Sequence, residues 1–517
     1  MNMKKSSNSF TLFQWNDFDI EELKQVHERV YKMRLCTIEQ EGNMYQDENN
    51  RLHWDVNFIE IPKEGRKKKK NNWNILLPKY KFLCHNIIAR CSGIKGGASF
   101  NASILEKVLG EYYSVMLFTL AQCQYIGIGT YKVGEKSRTI WLRNLSIGKE
   151  TTTNKKIISY NKKMKELVKD LYKPLSKDLF TPYSKALKTL TLNQEEAKKA
   201  TKEQFSSFLN KEGNLSEKEY NKQEIEYTWR MSRIDTFEYS APKQDENGRI
   251  YHYFTNFPKD LLPYTNIKYE LDASNCHPML LCLLLIYFYN ISNIKINNIN
   301  YNITPSSIYI HYLMDFLHKV FTDSELKELK KNRGDSIPED VEKYIQRTFM
   351  GIFWDDFVDK FPKVPRGEVK QVMFAEVFYS YDNVIYVRDE KVKDRFKAKY
   401  AKKYAKAFRD DYPNVWKLIG QIKKIGKERL EGESDDEQKN SFFPCLMMRL
   451  EATIFREILR RCYDRGYANV INIHDAICVI ENDMLNYSSD DLKSIMLEVF
   501  GEYGLYPNLK LEMIKTA

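Results

Sequence analysis

The 517-residue chain has no C-x-x-C pair among its nine cysteines, and several of them lie inside apolar runs, so the thiols read as reduced and buried. The opening residues from Met1 to Ser9 lead into no apolar core of signal-peptide length, which argues against secretion. The longest apolar run, Met279 to Tyr289, falls well short of the roughly 20 residues that a membrane span needs. No internal repeat is visible. These absences predict a soluble, intracellular protein in a reducing compartment, with no membrane partner. The charge balance is only moderately one-sided: Lys plus Arg number 81 against 70 for Asp plus Glu, a net +11, with 13% aromatic residues. A basic, aromatic-rich chain favours a polyanionic partner, although net charge alone speaks to association and solubility rather than mechanism.

The stretch Ile267 to Leu281 runs an alternating apolar strand (Ile267, Tyr269, Leu271) into one acid, Asp272, and then directly into an apolar helix. Asp272 and Ser274 there read either as helix caps or as groups aimed into a cleft. A partner lies near the other end of the chain. Val470 to Ile473 and Ile477 to Ile480 are short β-branched runs flanking His474-Asp475, a hairpin that carries an acid at its tip. Between the two acids, Pro365 starts a helix on which Arg366, Lys370, Phe374 and Phe378 recur every four residues. That face reads either as an amphipathic surface with snorkelling cations or as a nucleotide clamp.

Around these lie less informative regions. Asp19-Ile20-Glu21 reads as a solvated first turn of a helix, and Arg66 to Lys70 as a basic loop that is either simply solvated or contacts phosphates. Ile104 to Leu109 and Tyr112 to Gln122 predict two helices followed by the short strands Tyr125 to Tyr131 and Thr139 to Leu142. This is a winged-helix-like order that serves nucleic-acid binding or a purely structural purpose. Residues 150 to about 235 read as exposed charged helices or a linker, and Asn290 to Asn302 as a surface insertion. The expected division is a mixed region over 1–97, the winged-helix-like segment over 98–145, a charged helical thumb-like or linker region over 146–240, and a catalytic region over 241–517.

Taken in order, Asp272-Ala273-Ser274, the Arg366, Lys370, Phe374 and Phe378 face, and Ile473-His474-Asp475 resemble motifs A, B and C of the family A DNA polymerases and the phage-type single-subunit RNA polymerases. Asn247-Gly248-Arg249-Ile250, with Asn256 and Pro258 following, is similar to the segment preceding motif A in that family. Phe408 to Val415 resembles its F-x-x-Y-P-x-V segment, and Asp490 to Met513 reads helix then strand, as the family's C-terminus does. The resemblance covers residues 240 to 517. It implies an α+β right-hand polymerase with an antiparallel palm sheet, helical fingers and a mostly helical N-terminal half.

Carried onto this chain, the resemblance implies that Asp272 and Asp475 hold two Mg²⁺ ions, with Mn²⁺ as a substitute and the Ala273 carbonyl as a further ligand. Arg366 and Lys370 would meet the triphosphate, and Lys370 would also serve the leaving pyrophosphate. Phe374, Phe378 and His277 would line the nucleotide site, while Arg249 and His474 would contact the primer or template. The implied activity is DNA-dependent DNA synthesis on a primer–template from nucleoside triphosphates. An RNA polymerase or primase, with RNA as template or product, and a non-catalytic nucleic-acid-binding replication protein are the alternatives. The sequence departs from the family at His277, where a glutamate is usual, at Ala476, where motif C has a glutamate, and at Phe378-Tyr379, where tyrosine then glycine is usual. The long spacing between motifs A and B is a further departure. These bear on sugar choice more than on polymerase chemistry.

Overall fold

The structure, a computed structural model, describes residues 10–37, 72–91, 97–131, 137–152, 155–169, 173–209, 242–245, 247–305, 307–331, 336–378, 404–430, 442–481 and 488–514, with short pieces at 44–46, 52–54, 58–62, 224–228, 230–231 and 234. It is a mixed α and β chain, mostly helical, with small antiparallel sheets. Among the described residues no helix is long and apolar enough to cross a membrane.

Two hydrophobic cores form, one drawing on residues from Leu12 to Ile157 and the other on residues from Leu175 to Leu509. The expected boundaries at 97/98 and 145/146 therefore fall inside the first core. The reason is a non-local pairing, since strand Phe10–Trp15 lies antiparallel to Ile147–Thr152 and brings the two ends of that core together. Helix Trp73–Cys91 runs through that core, with Tyr80, Phe82, Leu83, Cys84, Ile87 and Ile88 buried. The expected helix, helix and hairpin are present as Ala102–Leu109, Tyr113–Gln122, Ile126–Tyr131 and Ser137–Leu142. A third strand, Gly97–Asn101, pairs with Ser137–Leu142 and makes it central. Helix Tyr113–Gln122 carries no charged residue and packs against helix Ile20–Lys32, so the second helix of the pair has its apolar surface covered. Asp19 Oδ1 accepts from the backbone N–H groups of Glu21 and Glu22 at 2.8 and 3.1 Å, as expected for a capped helix start.

The second core is built on a four-stranded antiparallel sheet in which Ile267–Ala273 lies between Ala476–Ile480 and the edge strand Leu509–Met513, with Val470–Ile473 outermost. Alternation sends Ile267, Tyr269, Leu271 and Ala273 into the helical layer and leaves Glu270 and Asp272 on the opposite face. Helix Cys276–Tyr289 is buried on every side, which accounts for a run with no polar stripe. The long helix Phe442–Asp464 packs against it and against helix Ser489–Glu502. The Asn/Ile-rich insertion is a small hairpin, Asn293–Ile296 with Ile299–Asn302, whose Ile294 and Ile296 are buried.

Candidate active site

Asp272 sits one residue before the end of the central strand, opposite Ala476, and the next residue closes the site: the Ala273 N–H donates to the Asp475 carbonyl at 3.1 Å. Two acids far apart in sequence are thus brought side by side by strand register. Asp475 sits in the two-residue turn of the hairpin Val470–Ile473 and Ala476–Ile480, and His474 makes that turn with a left-handed φ of 53°. From behind, Asn472 is held by Tyr183, whose hydroxyl donates at 3.0 Å, and by a His252 ring nitrogen at 3.1 Å from its carbonyl. Asp272 and Ser274 do not cap the following helix. Its N-cap is Asn275, in a left-handed conformation with no side-chain cap bond, so the Asp272 carboxylate is not spent on capping.

Burial, then the charges of Asp475 and Glu270, push Asp272 up to about 6, while Lys259 and Lys370 pull the other way. Asp475 is likewise raised, first by burial and then by Glu451, with His277 and Lys370 opposing. Two desolvated carboxylates side by side, each opposed by the same lysine, form an electrostatically loaded pair of the kind that gathers at functional sites.

Beside them lies a buried cluster of Arg249, His277 and Glu451. Arg249 leaves a tight turn at Gly248, whose φ of 84° suits glycine, and Asp245 Oδ1 fixes that turn by accepting from the Asn247 and Arg249 N–H groups at 2.9 Å. Arg249 Nη2 donates to Glu451 Oε2 at 2.6 Å, and His277 Nε2 lies 2.9 Å from the same oxygen and 3.1 Å from Arg249 Nη2. Burial disfavours the Arg249 charge, but Glu451 more than offsets it and holds the guanidinium above its ordinary value. Burial would likewise raise Glu451, yet the hydrogen bond from His277 and the charge of Arg249 keep its carboxyl below the usual range. Arg249 Nε is buried with no hydrogen-bond partner among the described residues, an orphaned donor at the edge of the site. His474 is lowered by burial and by Arg249, and its ring meets Tyr251 edge-on at 6.2 Å.

The helix begins as expected, with Pro365 preceding Arg366–Met373. Arg366 and Lys370 are exposed, and Lys370 lies close enough to oppose the raised pKa of both aspartates. Arg366 already pairs with Asp355 at 3.0 Å. Phe374 is half-buried and meets the His277 ring at 5.7 Å. Phe378 departs from the expected face: it is fully buried, within 6.4 Å of the rings of Trp354, Phe374, Phe408 and Phe443. The drift of about 40° per four residues turns this end of the helix towards the core, and within the π-helical turn Phe374–Phe378 the two rings still meet at 5.6 Å. Tyr379 and the Arg66 to Lys70 run lie outside the described residues.

Among the described residues no group of three or more His, Cys, Asp or Glu side chains is arranged to hold a metal ion. What the site offers is the Asp272 and Asp475 pair. That donor set fits a hard cation such as Mg²⁺, which takes one or two carboxylates and completes its shell with water and phosphate oxygens. Sequence reasoning missed Glu451. The signal was its position: Met447, Glu451, Ile454 and Ile458 form one buried stripe of the long helix, and an acid at a core position needs partners. No family model matches the chain, and no curated protein or solved structure matches it either.

Proposed function

We propose that this chain catalyses template-directed nucleotidyl transfer, with DNA synthesis from deoxynucleoside triphosphates as the favoured activity. What carries the reading is the juxtaposition of Asp272 and Asp475 at the end of an antiparallel sheet, with Lys370 near both. On this reading the sheet is a polymerase palm, and helix Arg366–Met373 belongs to the fingers. Asp272 and Asp475 would hold divalent cations, whose charge would in turn hold the triphosphate. Bound Mg²⁺ would lower the pKa of the attacking hydroxyl and neutralise charge at the reacting phosphate. Lys370 places an ammonium beside the triphosphate and donates a proton to the pyrophosphate as it leaves. Arg249, anchored by Glu451, would face the primer strand, and His474 lies close by. His277 and Phe374 form the wall against which the sugar rests.

The reading is tested by supplying a labelled primer–template with one nucleotide and Mg²⁺. Addition of a single deoxynucleotide that chelation abolishes supports it. A preference for the ribonucleotide moves the protein to RNA synthesis, and no addition with either sugar removes the enzymatic reading.

A further inference from the structure

A groove of about 1330 Å³ opens between two helices. One wall is the face of Ser307–Val320 bearing Tyr309, Tyr312, Phe316 and Lys319, at helical spacings of three and four. The other is the face of Phe442–Asp464 bearing Arg449, Thr453, Arg456 and Arg460, at the same spacings. The groove therefore opposes an aromatic stripe to an arginine stripe, with Asp315, Glu457 and Glu502 also in its lining.

The cations are not all matched within the fold. Arg460 and Arg461 are paired with carboxylates, through Asp178, Glu457 and Glu502. Arg456 bonds only the Ala452 carbonyl, at 2.9 Å, and the Thr453 hydroxyl, at 3.4 Å, with no carboxylate partner among the described residues. Burial and the neighbouring Arg460 both disfavour its charge. Arg449 donates to the Asn247 amide oxygen at 3.2 Å and is exposed. An anion in the groove would relieve both. Tyr312 is 57% exposed, its ring tilted against Tyr309 at 5.8 Å. Gly248 and Arg456 also line a small cavity with Arg249, Glu451 and His474, so the groove leads to the candidate active site.

We infer that this groove binds single-stranded nucleic acid, with Arg449 and Arg456 on successive phosphates and Tyr312 stacking on a base. Cations that track a backbone beside an exposed ring are what sequence-tolerant single-strand binding requires. An acidic protein segment would satisfy the arginines but would leave the ring without a stacking partner. The inference deepens the polymerase reading by giving the unpaired strand a path, yet its binding is measurable without catalysis.

The test is fluorescence anisotropy of the full chain, in chelator, with a labelled oligothymidylate of about 16 nucleotides. Arg449→Ala/Arg456→Ala should weaken binding at least roughly tenfold at low salt and flatten the dependence of log affinity on log salt by about 1.4, since each phosphate contact contributes ~0.7 for single strands. Tyr312→Ala should weaken binding about fivefold or more, Tyr312→Phe should restore it, and an abasic oligomer should be insensitive to either change. Circular dichroism would show that the variants are folded. Wild-type affinity and salt slope in the folded double variant would overturn the inference, as would equally tight binding of poly-glutamate. Binding that depends on these residues in a protein that adds no nucleotide keeps the groove and removes the catalytic reading. Nucleotide addition with unchanged binding in the variants does the reverse.

Discussion

His27 and His85, buried in the first core, are driven neutral by burial to a pKa of about 4, and each meets an uncharged partner: the Tyr80 hydroxyl at 2.6 Å and the Phe13 N–H at 3.2 Å. In the second core Asp272, Asp475, Glu451 and Arg249 are all withdrawn from water, yet Glu451 and Arg249 hold their charge against the cost of burial. A core that only has to be stable discharges what it buries. One that concentrates desolvated acids and bases gives up stability there, which is the contrast expected between a scaffold and a candidate site.

The largest change should come from removing either acid. Asp272→Asn and Asp475→Asn should each lower nucleotide addition by several orders of magnitude. In metal-free buffer Asp272→Asn should also raise the unfolding free energy, by about 1–3 kcal/mol, because the ionised carboxylate it replaces is disfavoured in the fold. A thermal melt in chelator that shows no stabilisation would mean the carboxylate pays no desolvation cost.

Glu451→Ala strands Arg249 without its carboxylate and should cost about 3–5 kcal/mol in denaturant unfolding. Glu451→Gln should cost less, but should change the ratio of deoxynucleotide to ribonucleotide use, because His277 loses its charged anchor. An unchanged ratio at intact activity would make Glu451 a structural residue only.

The histidines of the first core and Asp272 of the second should also respond to pH with opposite sign, with His474 offsetting Asp272 in part. His27 and His85 bind protons less readily folded than unfolded, so they withdraw stability as pH falls from 6.5 towards 4. Asp272 binds its proton more readily folded, so it adds stability as pH falls through about 6 towards 3.8. Amide exchange in chelator at pH 7 and pH 5, corrected for intrinsic rates, should therefore show protection falling in helix Trp73–Cys91 relative to strand Ile267–Ala273. A uniform change would erase the contrast.

Phe378→Tyr gives the smallest effect. The added hydroxyl would be buried among rings and should cost about 1–3 kcal/mol of stability while leaving sugar preference alone. A shift towards ribonucleotides would show that Phe378 reaches the site after all.

How much of this the sequence carried depends on whether a residue's role was local. The acids were legible because a strand that ends on Asp272 and a hairpin that tips on Asp475 are patterns of a few residues each. The helix start at Pro365 was legible for the same reason, and so were the paired helices and hairpin of the first half. Phe378 reads as a site residue from spacing alone because the rings that bury it, Trp354, Phe408 and Phe443, come from other elements. The first core could not be bounded because it closes through the pairing of Phe10–Trp15 with Ile147–Thr152. Glu451 went unread because its partners, Arg249 and His277, come from two other elements.

The central claim is that Asp272 and Asp475 act together on a phosphoryl centre, and single-turnover nucleotide addition measured alongside primer–template binding tests it most directly. Wild-type protein with Mg²⁺ is expected to extend the primer, and Asp272→Asn, Asp475→Asn and the double variant are all expected to bind it as tightly while failing to extend it, with the double no worse than the singles. Extension at the wild-type rate by either single variant would contradict the claim.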